Sequence, residues 1–169
     1  MKIYNKSCVI CESNQWDIAY FGPIREGSHG SIHNNASVYQ CRKCKVQVLL
    51  ESDCMPNEYY ETGEYREKLK QSLTLDNAIE EHELLNRFTF ESIWPLSVRN
   101  KKVLDVGCGT GSLLDAIKGI SKYQVGIEPC QPYLDSVVDK GYVGYRSIED
   151  CIGKQGPNSF DLAFSIQVI

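Results

Sequence analysis

From residue 101 onward the chain switches repeatedly between short continuous apolar runs and apolar residues spaced three or four apart. Val103-Leu104-Asp105-Val106 is a short, mostly apolar run that predicts a strand. The glycine-rich turn Gly107 to Gly111 follows, then a helix carrying Leu113, Leu114 and Ile117 and ended by Gly119. Tyr123 to Ile127 predicts a second strand, closed by Glu128-Pro129. Tyr133, Leu134, Val137 and Val138 line the next helix, which ends before Gly141. A third strand near Tyr142 to Tyr145, a short helix at Ile148 to Ile152 and an apolar strand Phe160 to Ile166 complete the pattern. Strands alternating with helices in this way predict an α/β, Rossmann-like parallel sheet, with right-handed crossovers placing helices on both faces.

The preceding segment is polar with helical character. Asp76 is placed to cap a helix whose Ile79, Leu84, Leu85, Phe88 and Ile93 fall near one face, and Trp94-Pro95 stops it. Glu80, Glu81 and Glu83 lie in its first two turns, where the helix dipole favours negative charge, and read as a solvated face. The first 56 residues differ again, with Gly-, Asn- and Ser-containing turns and short β-like runs such as Val46 to Leu50. Three regions are therefore expected: a small β domain over 1–56, a helical linker over 57–100, and the parallel sheet over 101–169.

Composition narrows the class. The chain has 169 residues, 42% apolar and 24% charged, an ordinary soluble globular mixture. A formal charge of −4 argues against a general nucleic-acid binder, and no apolar run is long enough for a membrane span. The opening MKIYNKSCVICES lacks the apolar stretch of a secretory signal, so a cytoplasmic location is expected, where disulfides are rare. The eight cysteines then read as metal ligands or reduced thiols.

Four of them stand in two Cys-x-x-Cys pairs, Cys8 with Cys11 and Cys41 with Cys44. Each pair can offer two thiolates to one tetrahedral Zn²⁺, and together they complete a closed structural site whose role is folding. The 29 residues between Cys11 and Cys41 require a long hairpin or loop. A region this small also has little core without such a staple. Reduced, unliganded cysteines are the alternative. His29 and His33 read as loop polar residues, and Cys54, Cys130 and Cys151 as packing or surface thiols. With six Lys+Arg against five Asp+Glu through residue 56, the region lacks the basic patch of a nucleic-acid zinc ribbon.

The turn is Gly107-Cys108-Gly109-Thr110-Gly111, with Asp105 two residues before it and Glu128 at the tip of the next strand. Such turns bring backbone N–H groups and a helix N-terminus against a ligand. The dinucleotide fingerprint places its third glycine one residue later, and a carboxylate at Asp105 repels a pyrophosphate. An acid at that strand end suits an ammonium group, and an acid at Glu128 suits ribose hydroxyls. Ammonium plus ribose without pyrophosphate describes S-adenosylmethionine.

VLDVGCGTGSLLDAI followed by VGIEP resembles the first two motifs of class I S-adenosylmethionine-dependent methyltransferases. FDLAFSIQVI is similar to the strand-four motif of that family, and SIED to its adenine-contacting segment. The resemblance implies that Asp105 holds the methionine amino group and that Gly107, Gly109 and Gly111, with Cys108 and Thr110 between them, let the backbone approach the cofactor. It implies that Glu128 takes the ribose hydroxyls, that Pro129 lies along the adenine, and that Ile148 and Glu149 flank its edge. Cys108 reads as packing, not as a nucleophile. Zinc ribbons in front of this fold resemble those of enzymes acting on sugars or on cell-surface and secondary metabolites. In such enzymes aromatic residues before the first strand fold over the cofactor, which makes Tyr59, Tyr60, Tyr65 and Arg66 candidates, with Arg66 facing the methionine carboxylate.

The family's sheet has seven strands in the order 3-2-1-4-5-7-6, and this chain supplies four, giving a partial 3-2-1-4 sheet that stops at Ile169. The expectation is a truncated, cofactor-binding part of a methyltransferase with little turnover alone and no nameable catalytic base. A small-molecule acceptor is expected, with no nucleic acid, no membrane, and a possible homo-oligomer through the exposed strand-four edge. The rival is a non-catalytic zinc-ribbon interaction module on a degenerate nucleotide-binding fold. An NAD-dependent oxidoreductase is disfavoured by Asp105 and the glycine spacing.

Overall fold

Two kinds of sheet form, as the two rhythms require. The computed structural model describes residues 4–26, 31–53, 57–64, 77–80, 89, 91 and 97–166. It divides into two compact units, Met1–Tyr59 and Tyr60–Ile169.

In the first unit, strands β1 (Trp16–Glu26) and β2 (Ser31–Cys41) form a long antiparallel hairpin, and β3 (Gln47–Leu49) adds to β2. The hairpin spans the separation between the cysteine pairs and sets Trp16 opposite Cys41 at its base. Its ladder is interrupted between Ile18 and Tyr20 and between Gly22 and Ile24, irregularities that bend and twist a two-stranded ribbon. Among the described residues few side chains are buried here, chiefly Cys8, Ala36, Ser37, Tyr39, Cys41, Asp53 and Tyr59. The Tyr4 ring meets Trp16 edge-on at 4.6 Å and Tyr39 at 5.5 Å, and the Trp16 indole N–H donates to the Lys6 carbonyl at 2.9 Å. After a 3-10 turn at Glu51–Asp53, helix α1 (Asn57–Glu61) begins.

The second unit runs β4 (Lys102–Val106), α2 (Ser112–Ile117), β5 (Tyr123–Ile127), α3 (Gln131–Asp139), β6 (Val143–Tyr145), α4 (Ile148–Gln155), β7 (Leu162–Ser165). The four strands are parallel and stand in the spatial order β6-β5-β4-β7, an α/β arrangement consistent with a Rossmann-like fold. On one face Val103 and Phe164 pack with Leu113 and Ile117 of α2 and with Val98. Further along that side, Leu114 of α2 and Val137 of α3 close on Cys108 and Tyr142. On the other face Cys151 of α4 packs on Val125 and Ile127, with Leu104, Val106, Val143 and Phe160 around them. α4 starts at the Ser147 hydroxyl, which accepts the Asp150 N–H at 3.0 Å.

Residues 77–80 are helical, and Ala78 packs against Cys130 and Tyr133 at the start of α3. The rest of the predicted linker face, Leu84, Leu85, Phe88 and Ile93, lies outside the described residues, as does Trp94-Pro95. Glu61 forms an ion pair with Arg146 at 3.3 Å, and the same guanidinium donates to the Pro129 carbonyl.

Candidate functional site

The glycine turn lies between the C-terminal end of β4 and the start of α2. Gly107, Gly109 and Gly111 have φ of 75°, 55° and 80°, the left-handed region where a side chain is disfavoured. The N–H groups of Gly107 and Cys108 both donate to the Ile127 carbonyl, at 2.8 and 3.0 Å, which folds the turn onto the end of β5. That approach depends on Gly126 of β5: a methyl there would lie 2.5 Å from the Cys108 sulfur.

Two carboxyl groups face this turn. Glu128, just past β5, is 2% exposed, and its two oxygens accept the Gly109 N–H at 2.9 Å and the Cys130 N–H at 3.0 Å. Asp105, at 4% exposure, makes no side-chain hydrogen bond or ion pair among the described residues. Burial, with the neighbouring Glu128 charge adding to it, pushes the Asp105 carboxyl up to about 7. A buried carboxylate without a donor, beside a second anion, is an arrangement that a bound cation relieves.

The other predicted site residues differ in burial and in the element that carries them. Thr110 is fully buried, and Cys108 is buried with its thiol pushed well above the usual range by desolvation and by Asp105 and Glu128. The Cys108 side chain packs with Leu114, Val137 and Tyr142. Pro129 is half-buried beside Glu128, while Ile148 and Glu149 are exposed at the start of α4. Tyr59 and Tyr60 lie in α1, and Tyr65 and Arg66 fall outside the described residues. Sequence reasoning missed Lys140. Its ammonium group reaches the Thr110 carbonyl at 3.0 Å and Asp115 at 2.7 Å. A lone lysine at the end of a helix carries no local sign of such a contact.

In the first unit, the sulfur atoms of Cys8, Cys11, Cys41 and Cys44 all lie within 4.8 Å of one another. Cys8 and Cys44 approach to 3.5 Å, as do Cys11 and Cys41, so the contacts cross between the two pairs. Tetrahedral zinc with Zn–S near 2.3 Å sets its sulfurs about 3.8 Å apart, so the donor set and its spacing fit. The two knuckles repeat one backbone turn. Glu12 N–H donates to the Cys8 carbonyl and Lys45 N–H to the Cys41 carbonyl, with Glu12 and Lys45 both in the left-handed region. The Cys44 backbone N–H holds the Cys41 thiol down at about 6, against its burial.

No protein-family profile matches the chain. It is 31% identical over 121 residues to the 18S rRNA (guanine-N(7))-methyltransferase of Bos taurus, an alignment covering 68% of this chain and 40% of that protein. The chain thus spans about 40% of the length of the curated relative it matches. The similarity supports S-adenosylmethionine-dependent methyl transfer as the general chemistry. It overturns the expectation of a small-molecule acceptor and no nucleic acid, because the relative acts, by its name, on ribosomal RNA. The small-molecule part leaned on the resemblance of the zinc-ribbon segment to enzymes of sugars and metabolites, and the exclusion of nucleic acid on a net charge of −4, which sums the whole chain and does not describe the surface an acceptor touches. No helix among the described residues is long and apolar enough to cross a membrane.

Proposed function

We propose that this chain holds the cofactor half of a class I S-adenosylmethionine-dependent methyltransferase acting on a guanine in RNA, behind a zinc-stapled β unit. The observation that carries the reading is Asp105: a carboxylate buried at the end of β4, unpartnered among the described residues and facing the glycine turn. The spatial order β6-β5-β4-β7 and the methyltransferase relative support it. In this reading Asp105 receives the methionine ammonium, the turn passes beneath the cofactor, Glu128 faces the ribose, and Pro129 with the Ile148–Glu149 segment borders the adenine. When bound, S-adenosylmethionine supplies a methyl group on a sulfonium sulfur, open to in-line attack by a nucleophile. Guanine N7 carries a free lone pair and loses no proton on methylation, so Asp105 and the turn need only position the cofactor. Cys8, Cys11, Cys41 and Cys44 hold structural Zn²⁺, with no open ligand position for chemistry.

Calorimetry with S-adenosylhomocysteine tests the cofactor assignment. Asp105→Asn is expected to weaken that ligand about a hundredfold, the scale of a lost buried charge pair. Binding of 5′-methylthioadenosine, which lacks the ammonium group, is expected to change little. Binding of NAD with no response to S-adenosylhomocysteine would refute the reading. For the acceptor, radiolabelled methyl donor and ribosomal RNA are supplied together. Label recovered as N7-methylguanine supports the assignment, and label recovered at another RNA atom or on a small-molecule acceptor in its place removes it.

A further inference from the structure

Lys140 stands one residue beyond α3, 30 positions from the turn it touches. Its ammonium group donates to the backbone carbonyl of Thr110, a fully buried residue in the middle of the glycine turn. The lysine is itself held in place. Asp115 of α2 accepts from Lys140 at 2.7 Å through one oxygen and from the Tyr142 hydroxyl at 2.7 Å through the other. Lys118 lies over the Tyr142 ring, 4.9 Å from its centre. Lys140 thus reaches the carbonyl while Asp115, itself held by Tyr142, anchors the lysine.

That carbonyl controls the direction of the next N–H. In a planar trans peptide the Thr110 C=O and the Gly111 N–H point opposite ways. With the carbonyl aimed at Lys140, the Gly111 N–H is aimed at the Cys108 carbonyl, which accepts it at 2.9 Å. Gly111 has φ of 80° and no side chain to resist rotation of this peptide, so within the turn its N–H bond to the Cys108 carbonyl is the restraint that the Lys140 contact reinforces. One residue earlier, Glu128 accepts the Gly109 N–H. Two peptides of the turn, Cys108–Gly109 and Thr110–Gly111, are thus held, one by an anion and one by a cation, each charge delivered from a distant point in the sequence.

We infer that Lys140 is a positioning residue for the cofactor turn: through the Thr110 carbonyl it sets the peptide geometry that the proposed cofactor meets. The inference rests on the cofactor reading above and adds a residue to it. It makes no contact between Lys140 and the cofactor necessary.

The test compares Lys140→Met, which keeps the stem and removes the charge, with Lys140→Arg, which restores a cationic donor. Two readouts are taken on the 169-residue chain. In amide spectra recorded without cofactor, the Gly109 and Gly111 signals are expected to shift or broaden in Lys140→Met and to return toward wild type in Lys140→Arg. S-adenosylhomocysteine affinity is expected to fall about tenfold in Lys140→Met, the scale of one charge-assisted hydrogen bond, and to recover to within about threefold in Lys140→Arg. If Lys140→Met does not fold, Asp115→Asn, which frees the lysine from its anchor, is expected to disturb the same two amide signals. Unchanged glycine signals in these variants overturn the inference, as does an affinity loss that merely follows a lower melting temperature and is not rescued by arginine. Should wild type itself fail to bind S-adenosylhomocysteine, the cofactor reading falls, while the amide signals still decide whether Lys140 sets the turn.

Discussion

The two units keep their shape by different means. The parallel-sheet unit buries apolar side chains on both faces of its strands, with Val103, Leu113, Ile117 and Phe164 on one side and Val125, Ile127 and Cys151 on the other. The antiparallel unit has a single thin layer of rings and four clustered thiols, and it exposes Val9, Ile10 and Phe21. A layered core spreads its stability over many contacts, whereas a thin one concentrates it at a point. The difference teaches where each unit fails: the first at its cysteines, the second at the charges placed inside it.

Removing metal gives the largest separation between them. Loading the chain with zinc and then chelating it, or substituting Cys41→Ser, is expected to unfold residues 4–53 while the parallel sheet keeps its amide protection. Structural zinc sites contribute on the order of 10 kcal/mol to folding. Hydrogen exchange followed by mass spectrometry reads both units at once. Full protection of the hairpin after chelation would show that its rings alone suffice.

In the second unit the corresponding weak point is pH. Asp105 titrates near 7 in the fold and near 3.9 in an unfolded chain. Between these values the folded state retains a proton that the unfolded state has released, so the empty fold loses stability as pH rises from about 4 to about 7. The full penalty is roughly 4 kcal/mol and is reached above pH 7. Denaturant titrations at pH 5 and pH 8 are expected to show the slope in wild type and a flatter one in Asp105→Asn. A ligand ammonium reverses the preference, so S-adenosylhomocysteine affinity is expected to climb toward pH 7 and then level off. Identical slopes in the two proteins would place the titration elsewhere.

A smaller effect probes the packing beneath the turn. Gly126→Ala places a methyl against the Cys108 sulfur and is expected to cost about 1–3 kcal/mol. Adding Cys108→Ala removes the clash, so the double variant is expected to be more stable than Gly126→Ala alone. Additive losses in thermal unfolding would mean that the turn moves away from β5 with no penalty.

Much of this was legible in the residues because it is local. The strand Tyr123–Ile127 shows as an apolar run bounded by Lys122 and Glu128-Pro129, and the structure has the same limits. The turn declared itself through Gly107, Gly109 and Gly111, because only glycine takes three such angles in five residues without strain. The final strand was read too long, from Phe160 to Ile166, and pairs only over Leu162–Ser165. Phe160 instead joins the packing around α4. The expectation of a small-molecule acceptor without nucleic acid conflicts with the rRNA-methylating relative, since it rested on a loose resemblance of the zinc-ribbon segment and on a sum of charges.

The chain's own order of residues determined the cysteine pairs, the strand–turn–helix rhythm and the acids at two strand ends, because spacing along a backbone is enough to specify them. Tertiary structure alone decided that Cys8 would meet Cys44 across the knuckles and that one Glu128 oxygen would meet the Gly109 N–H. It alone brought Lys140 to Thr110 and left Asp105 buried without a donor among the described residues. Those outcomes depend on which distant segments a packed sheet and its crossovers bring within hydrogen-bond reach, and no local pattern encodes that distance.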